Sequence, residues 1–186
     1  MELTPNAKFP DMKQFLLASF FASLLAIAVQ AQITITPEIS TNIFEGVHPN
    51  ATTDLPIHIA VTNNSSDTVQ LKWLRKVNGD CPVGWKTQVC DNNLCYNFNV
   101  SSNINPAIGL DAPFILKPVE TFDNFILHIW PGTSEGCCAI DIDFYDLKDT
   151  SVVAATAQFE VSVDMPNCFV GTEETSPLSL RVFPNP

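Results

Sequence analysis

Apolar residues recur at every second position through most of the chain, and this period limits the fold more than any other feature. The longest such run spans residues 153–163, where Val, Ala and Phe alternate with Ala, Thr, Gln, Glu and Ser. Successive side chains of a strand point to opposite faces of a sheet, so the pattern predicts strands with one buried face. No segment after residue 31 carries a helical apolar stripe over three turns. The main part of the chain is therefore predicted to be all-β.

Clusters of turn-forming residues separate the alternating runs. Residues 63–67, 131–136 and 146–151 are rich in Asn, Ser, Gly and Asp, which favour tight turns. Strands at this spacing are typical of an antiparallel β-sandwich of about seven strands. We place the strands coarsely at 33–37, 55–62, 69–77, 85–90, 113–117, 122–130, 137–145 and 152–163.

The first 31 residues have the pattern of an export signal. Residues 15–29 read FLLASFFASLLAIAV and follow Lys13. This apolar run is shorter than the roughly 20 residues of a membrane span and fits a signal-peptide core of about 7–15 residues. Small residues before the junction predict cleavage between Ala31 and Gln32 of a helical signal peptide, 1–31. Met12 is a more ordinary start than Met1, so residues 1–11 are read as an extension, and an uncleaved anchor is the alternative.

The charge balance excludes two classes of partner. Nine Lys and Arg residues stand against 20 Asp and Glu residues, which gives a net charge of −11. Such a chain repels phosphate backbones and anionic membrane surfaces, so no nucleic-acid partner is expected. No second apolar run of spanning length follows the signal, so no membrane insertion is expected after cleavage.

All six cysteines follow the predicted cleavage site, at positions 81, 90, 95, 137, 138 and 168. An even number in an exported chain favours disulfides over metal ligation. Cys90 and Cys95 enclose Asp-Asn-Asn-Leu, a sequence that favours a tight turn, so we expect them to pair. The other four allow three pairings; we favour Cys81–Cys137, because both would lie on outer loops, whereas Cys138 has inward parity. No histidine lies near the cysteines in the sequence, and no metal site or cofactor is predicted.

Few other residues carry recognisable chemistry, and no catalytic residues are predicted. Calcium ligation is the alternative interpretation of an acidic run that comprises Asp141, Asp143, Asp146 and Asp149. Asp141 and Asp143 would lie about 7 Å apart along a strand, so the run is interpreted as a solvated strand face and turn. Trp130 and Tyr145 have outward parity and are the candidate platform for stacking on sugar rings.

Two segments resemble families of exported bacterial proteins. Residues 170–179 form an acidic, polar linker, and Leu-Arg-Val-Phe-Pro-Asn-Pro follows at 180–186. This ending resembles the opening of the type A sorting domain of the type IX secretion system of Bacteroidetes. The match is carried by Phe183, Pro184, Asn185 and Pro186. That domain continues for dozens of residues in the family, so 180–186 is expected to be its truncated start.

The second resemblance lies in the middle of the chain. Trp73 is followed at 84–96 by GWKTQVCDNNLCY, which is similar to a pattern in uncharacterised secreted immunoglobulin-like domains of the same bacteria. The resemblance implies an immunoglobulin-like fold over 32–169. It implies no known activity.

These observations predict a non-catalytic β-sandwich module, secreted or at the cell surface, with an adhesive or structural role. It would pass through the periplasm by the Sec route and then use the type IX machinery, with surface glycans or proteins as partners. A carbohydrate-binding module is the first alternative. An exported hydrolase or metal-dependent enzyme is the second.

Overall fold

The structure, a computed structural model, describes residues 32–78, 81–165 and 168–169. The predicted signal peptide, the linker at 170–179 and the sorting motif at 180–186 lie outside the described residues. Within the described ranges, no helix has the length and apolar character needed to cross a membrane.

Eleven strands form within the described residues, and nine of them belong to two large sheets. In chain order they are β1 (Ile33–Thr36), β2 (Ile39–Phe44), β3 (Leu55–Asn63), β4 (Val69–Asn78), β5 (Lys86–Cys90), β6 (Ile104–Asn105), β7 (Leu110–Asp111), β8 (Phe114–Leu116), β9 (Thr121–Trp130), β10 (Gly136–Asp146) and β11 (Ala155–Val163). The four-stranded sheet has the order β1-β3-β9-β5, and the five-stranded sheet has the order β2-β11-β10-β4-β8. The short strands β6 and β7 pair with each other across a 3-10 turn.

The inner faces of the two large sheets pack together as a β-sandwich. Phe125 of β9 meets Phe144 of β10 with 5.2 Å between ring centroids, so the two sheets are in contact across the core. Trp73 of β4 lies beside Phe125 at 6.5 Å and is fully buried. The predicted all-β, immunoglobulin-like sandwich is confirmed.

The alternation in the sequence sets which side chains enter this core. On β10, the inward set comprises Cys138, Ile140, Ile142 and Phe144, all 2% exposed or less. On β9, Phe125, Leu127 and Ile129 are fully buried, and His128 and Trp130 face outward between and after them. Each of the eight predicted strand spans overlaps an observed strand.

The strand β2 was not predicted from the sequence, and it also departs from antiparallel pairing. Its apolar residues Ile39 and Ile43 are more than half exposed, while Ser40 is buried, so its hydrophobic pattern is inverted. It pairs in parallel with β11, whereas the other strand pairs of the two large sheets are antiparallel. β2 thereby forms one edge of the five-stranded sheet.

Three disulfides use all six cysteines: Cys81–Cys138, Cys90–Cys95 and Cys137–Cys168. The expectation of a disulfide-bonded domain is confirmed, but the favoured Cys81–Cys137 pair is wrong. Neighbouring residues of a strand face opposite sides of a sheet. Cys81 packs against the core, so it meets the inward-facing Cys138, and Cys137 on the other face is left to Cys168.

Candidate functional site

The hairpin that carries Cys90 and Cys95 lies at the edge of the four-stranded sheet. Cys90 ends β5, and it pairs with Cys95 across an isolated antiparallel bridge with 3.9 Å between Cα atoms. The turn between them is fixed by Asp91, whose backbone N–H donates to the Leu94 carbonyl at 3.1 Å. One Asp91 carboxylate oxygen accepts from the Asn93 N–H at 2.8 Å. These are the contacts of a tight Asx turn, as the Asp-Asn-Asn sequence suggests.

The second oxygen of Asp91 connects this turn to the core. It accepts hydrogen bonds from the indole N–H of Trp73 and from the hydroxyl of Tyr96, both at 2.9 Å. The two rings meet edge to face, with 4.9 Å between centroids. Burial of Tyr96 and the nearby charge of Asp91 raise the pKa of the Tyr96 hydroxyl well above its ordinary value. The hairpin is therefore held in place by a buried carboxylate as well as by its disulfide.

A histidine and a second aspartate stand beside this disulfide. His128 projects outward from β9, and its Nδ1 lies 2.8 and 3.1 Å from the two carboxylate oxygens of Asp54. Asp54 directly precedes β3, and the β3–β9 register, in which Leu55 faces Ile129, brings it alongside His128. The sulfur atoms of Cys90 and Cys95 and a ring nitrogen of His128 all lie within 4.8 Å of one another.

This cluster was not predicted from the sequence, because His128 lies far along the chain from the cysteines. It is brought there by the register of β5 and β9, which sets Gln88 opposite His128 and Cys90 opposite Ile126. Among the described residues, Cys90, Cys95 and His128 are the one group whose ligand atoms are close enough to hold a metal ion. The sequence does indicate that Cys90 on β5 and His128 on β9 share outward parity. It does not indicate that these two strands are neighbours, so the cluster could not be predicted.

The structure separates the two rings of the predicted sugar-binding platform. Trp130 lies on the outer face of the four-stranded sheet, and Tyr145 lies on the outer face of the five-stranded sheet. The rings of Trp130 and Phe98 pack edge to face, with 5.7 Å between centroids. The Tyr145 hydroxyl donates to Asp143 at 3.3 Å. The two rings do not form one platform, because the outer faces of the two sheets of a sandwich point in opposite directions.

The acidic run at the end of β10 makes contacts within the strands and the following turn. Asp143 is buried and accepts hydrogen bonds from Lys76 and from the Thr156 hydroxyl, the latter at 2.8 Å. Burial alone would raise its pKa, but these hydrogen bonds and the Lys76 charge hold it below its ordinary value. Asp146 and Asp149 accept from backbone N–H groups two residues ahead, as turn residues do.

Of the two residues that flank the predicted cleavage point, Gln32 lies within the described residues. Gln32 is the first described residue, and its side chain donates to Asp146 at 3.3 Å. Ala31, on the other side of the predicted cleavage point, lies outside the described residues. The sorting-motif residues Phe183, Pro184, Asn185 and Pro186 also lie outside them.

Comparisons with known proteins assign no family to this chain. No protein-family model matches the chain, and no curated protein matches it. Among solved structures, it is similar to the N-terminal domain of PorA, with a TM-score of 0.47, 13% identity, and coverage of 71% of this chain and 97% of that one. It is also similar to a PapD-like domain of human CEP192, with a TM-score of 0.38, 10% identity, and coverage of 72% and 85%. A family 123 glycoside hydrolase from Clostridium perfringens matches at a TM-score of 0.41 and 11% identity, over 68% of this chain and 22% of the enzyme.

Proposed function

We propose that the chain is an exported, non-catalytic β-sandwich module with an adhesive or structural role at the cell surface or in the medium. The observation that carries this proposal is that three disulfides use all six cysteines. Disulfides form and persist in oxidising compartments and are rare in the cytoplasm. Together with the signal pattern at 1–31, they support passage through the periplasm by the Sec route.

The polar groups buried in the domain support a structural role over a catalytic one. Asp91 holds the Trp73 indole, the Tyr96 hydroxyl and its own turn. Asp143 holds Lys76 and Thr156 across neighbouring strands. A catalytic carboxylate must be able to exchange a proton with a substrate. Both carboxylates instead accept hydrogen bonds from the protein's own donors.

The type IX machinery is the proposed partner in export, on the resemblance of residues 180–186 to a sorting domain. The test expresses the natural gene in a bacterium with a type IX system and in the same strain without it. We expect the protein at the surface or in the medium of the first strain and in the periplasm of the second. A matched variant with Pro184 and Asn185 replaced by Ala should remain in the periplasm of both. Recovery from the cytoplasm with its leader attached would overturn the proposal of export.

A glycan array distinguishes the carbohydrate-binding alternative from the proposed adhesive or structural role. Because Trp130 and Tyr145 lie on different faces, we expect no glycan binding that depends on either ring. Purified wild-type protein, Trp130→Ala and Tyr145→Phe are compared at equal concentration. Tight glycan binding that Trp130→Ala abolishes and Tyr145→Phe preserves would replace the adhesive or structural role with sugar recognition.

A further inference from the structure

We propose that reduction of the Cys90–Cys95 disulfide opens a binding site for Zn²⁺, formed by the two cysteine sulfurs and His128, with Asp54 as a positioning residue. The three ligand atoms already lie within 4.8 Å of one another in the oxidised domain. The site goes beyond the proposed export and surface role and does not depend on either of them.

The distances suit the geometry that zinc requires. Zn–S bonds of about 2.3 Å and Zn–N bonds of about 2.0–2.1 Å in a tetrahedral site put two sulfurs about 3.8 Å apart, and a sulfur and a nitrogen about 3.5 Å apart. Once the sulfur–sulfur bond is open, side-chain rotation can move the ligand atoms over this range. Three protein ligands leave the fourth position to water.

The hairpin keeps the two cysteines together without their covalent bond. The Asp91 N–H donates to the Leu94 carbonyl, and the Tyr96 N–H donates to the Val89 carbonyl at 2.8 Å. The Gln88 side chain donates to the Tyr96 carbonyl at 2.7 Å. These contacts flank both cysteines, so the reduced thiols remain on one preformed turn. A preformed ligand pair lowers the entropic cost of metal binding.

Asp54 fixes the form of His128 that binds metals. A carboxylate accepts hydrogen bonds, so the ring proton of a metal-binding His128 is placed on Nδ1, where Asp54 accepts it. This leaves the lone pair of Nε2 for the metal. A carboxylate behind a ligating histidine is the usual partner of zinc-bound imidazole, and its loss typically costs 10–100-fold in affinity.

The opening step needs an external dithiol, which supplies two electrons and two protons. Cys95 is exposed, so a thiolate of the dithiol attacks its sulfur. The electron pair of the sulfur–sulfur bond leaves on the sulfur of Cys90. The second thiol of the reductant then attacks the mixed disulfide and releases Cys95, so the dithiol becomes a disulfide and both cysteines become thiols. Zinc binding displaces their two protons. Cys95 is the one exposed cysteine among the six, whereas the cysteines of the other two bridges are half-buried or buried, so the reductant reaches the Cys90–Cys95 bridge first.

The test compares the oxidised purified protein with protein that has been reduced under anaerobic conditions. The reductant is a water-soluble phosphine, which takes the place of the dithiol and is oxidised to the phosphine oxide. Reduction is stopped at two thiols per chain, and Zn²⁺ or Co²⁺ is added. We expect one metal ion per reduced chain, a thiolate-to-cobalt charge-transfer band, and protection of Cys90 and Cys95 from alkylation, mapped by mass spectrometry. The oxidised protein should bind no metal stoichiometrically.

Variants separate ligation from general effects on the fold. His128→Gln should weaken zinc binding at least tenfold. Asp54→Asn should weaken it about tenfold, with Asp54→Glu restoring most of the loss. His58→Gln is the matched control, because His58 faces Ile126 from β3 on the same outer face but is not one of the three ligands. Unchanged affinity in His128→Gln would overturn the proposal. So would wild-type protein that takes up no zinc when reduced, or whose zinc protects cysteines other than Cys90 and Cys95.

Discussion

At the scale of single residues, buried polar side chains complete hydrogen bonding that the strand ladders leave open. Asn103 is fully buried, and its side-chain oxygen Oδ1 accepts a hydrogen bond from the backbone N–H of Trp73 at 2.8 Å. Its amide group donates to the carbonyls of Leu71 at 3.0 Å and Ala112 at 2.9 Å. Buried backbone groups without partners are costly, so this one side chain lets β4 continue beyond the point where its pairing with β8 stops. The sequence marks Asn103 as an ordinary loop residue, because its partners are distant in the chain.

Asp91 is the residue whose loss we expect to matter most among the polar groups. The hydrogen bonds of its carboxylate are all accepted from donors, and an Asn side chain replaces one acceptor oxygen with an amide that repels them. Asp91→Asn should lower the free energy of unfolding by about 2–4 kcal/mol, since hydrogen bonds to a buried charge are strong. Urea denaturation of the oxidised protein measures this. The control is Asp123→Asn, an exposed position on β9, and equal stability of the two variants would contradict the assigned role.

Only part of the candidate site could be predicted from the sequence, because its residues come from both near and distant positions in the chain. The Cys90–Cys95 turn is local, so its residues predicted it directly. His128 and Asp54 join it through strand pairing, which depends on contacts between distant segments. Sequence spacing therefore led to the interpretation that no histidine lies near the cysteines. The structure brings His128 beside them.

At the scale of elements, the positions of most strands were predictable from the sequence, but the pairing of strands within the sheets was not. The inward or outward position of each side chain is a local property, so alternation located β9, β10 and β11. Pairing order depends on the whole chain. β2 was missed because its exposed isoleucines point away from the core, and its parallel contact with β11 has no local signal.

The start of β10 depends on its first residue, a glycine. Gly136 has φ of +150°, and a Cβ at this position would overlap the ring of Pro82. We expect Gly136→Ala to cost about 2–4 kcal/mol of stability, because backbone strain and a clash with a rigid ring add together. Gly132 also has a positive φ, of +64°, but a Cβ there would meet nothing within 4 Å, so Gly132→Ala should cost about 1 kcal/mol. Comparable urea midpoints for the two variants would contradict the assigned contact with Pro82.

The contacts of β10 with β4 and β11 should also give the domain an acid limit. Because the pKa of Asp143 is held below its ordinary value in the folded protein, its stabilising effect is present above about pH 4. It is lost as the pH falls through the lowered pKa. Wild type should therefore exceed Asp143→Asn in free energy of unfolding by about 1–3 kcal/mol at neutral pH, and the gap should shrink below pH 4. Urea titrations at several pH values test this, and a gap independent of pH would refute it.

At the scale of the whole molecule, the three disulfides should contribute according to the chain length that each one closes. Their sequence separations are 57 residues for Cys81–Cys138, 31 for Cys137–Cys168 and 5 for Cys90–Cys95. Loop entropy predicts costs of about 4, about 3.7 and about 2 kcal/mol when each pair is replaced by alanines. The Cys81–Cys138 variant should lose most, because Cys138 is also part of the core. Thermal unfolding of the three double variants measures the order, and a largest loss in the Cys90–Cys95 variant would contradict it.

The central claim is that this β-sandwich is an exported module that acts in its oxidised form. The most direct measurement is the intact mass and disulfide map of the natural protein, taken from cells and medium with thiols alkylated at harvest. The account predicts a mature chain that begins at Gln32 and contains three bridges, recovered outside the cytoplasm. A chain that still carries its leader, found in the cytoplasm with six alkylated cysteines, would contradict it.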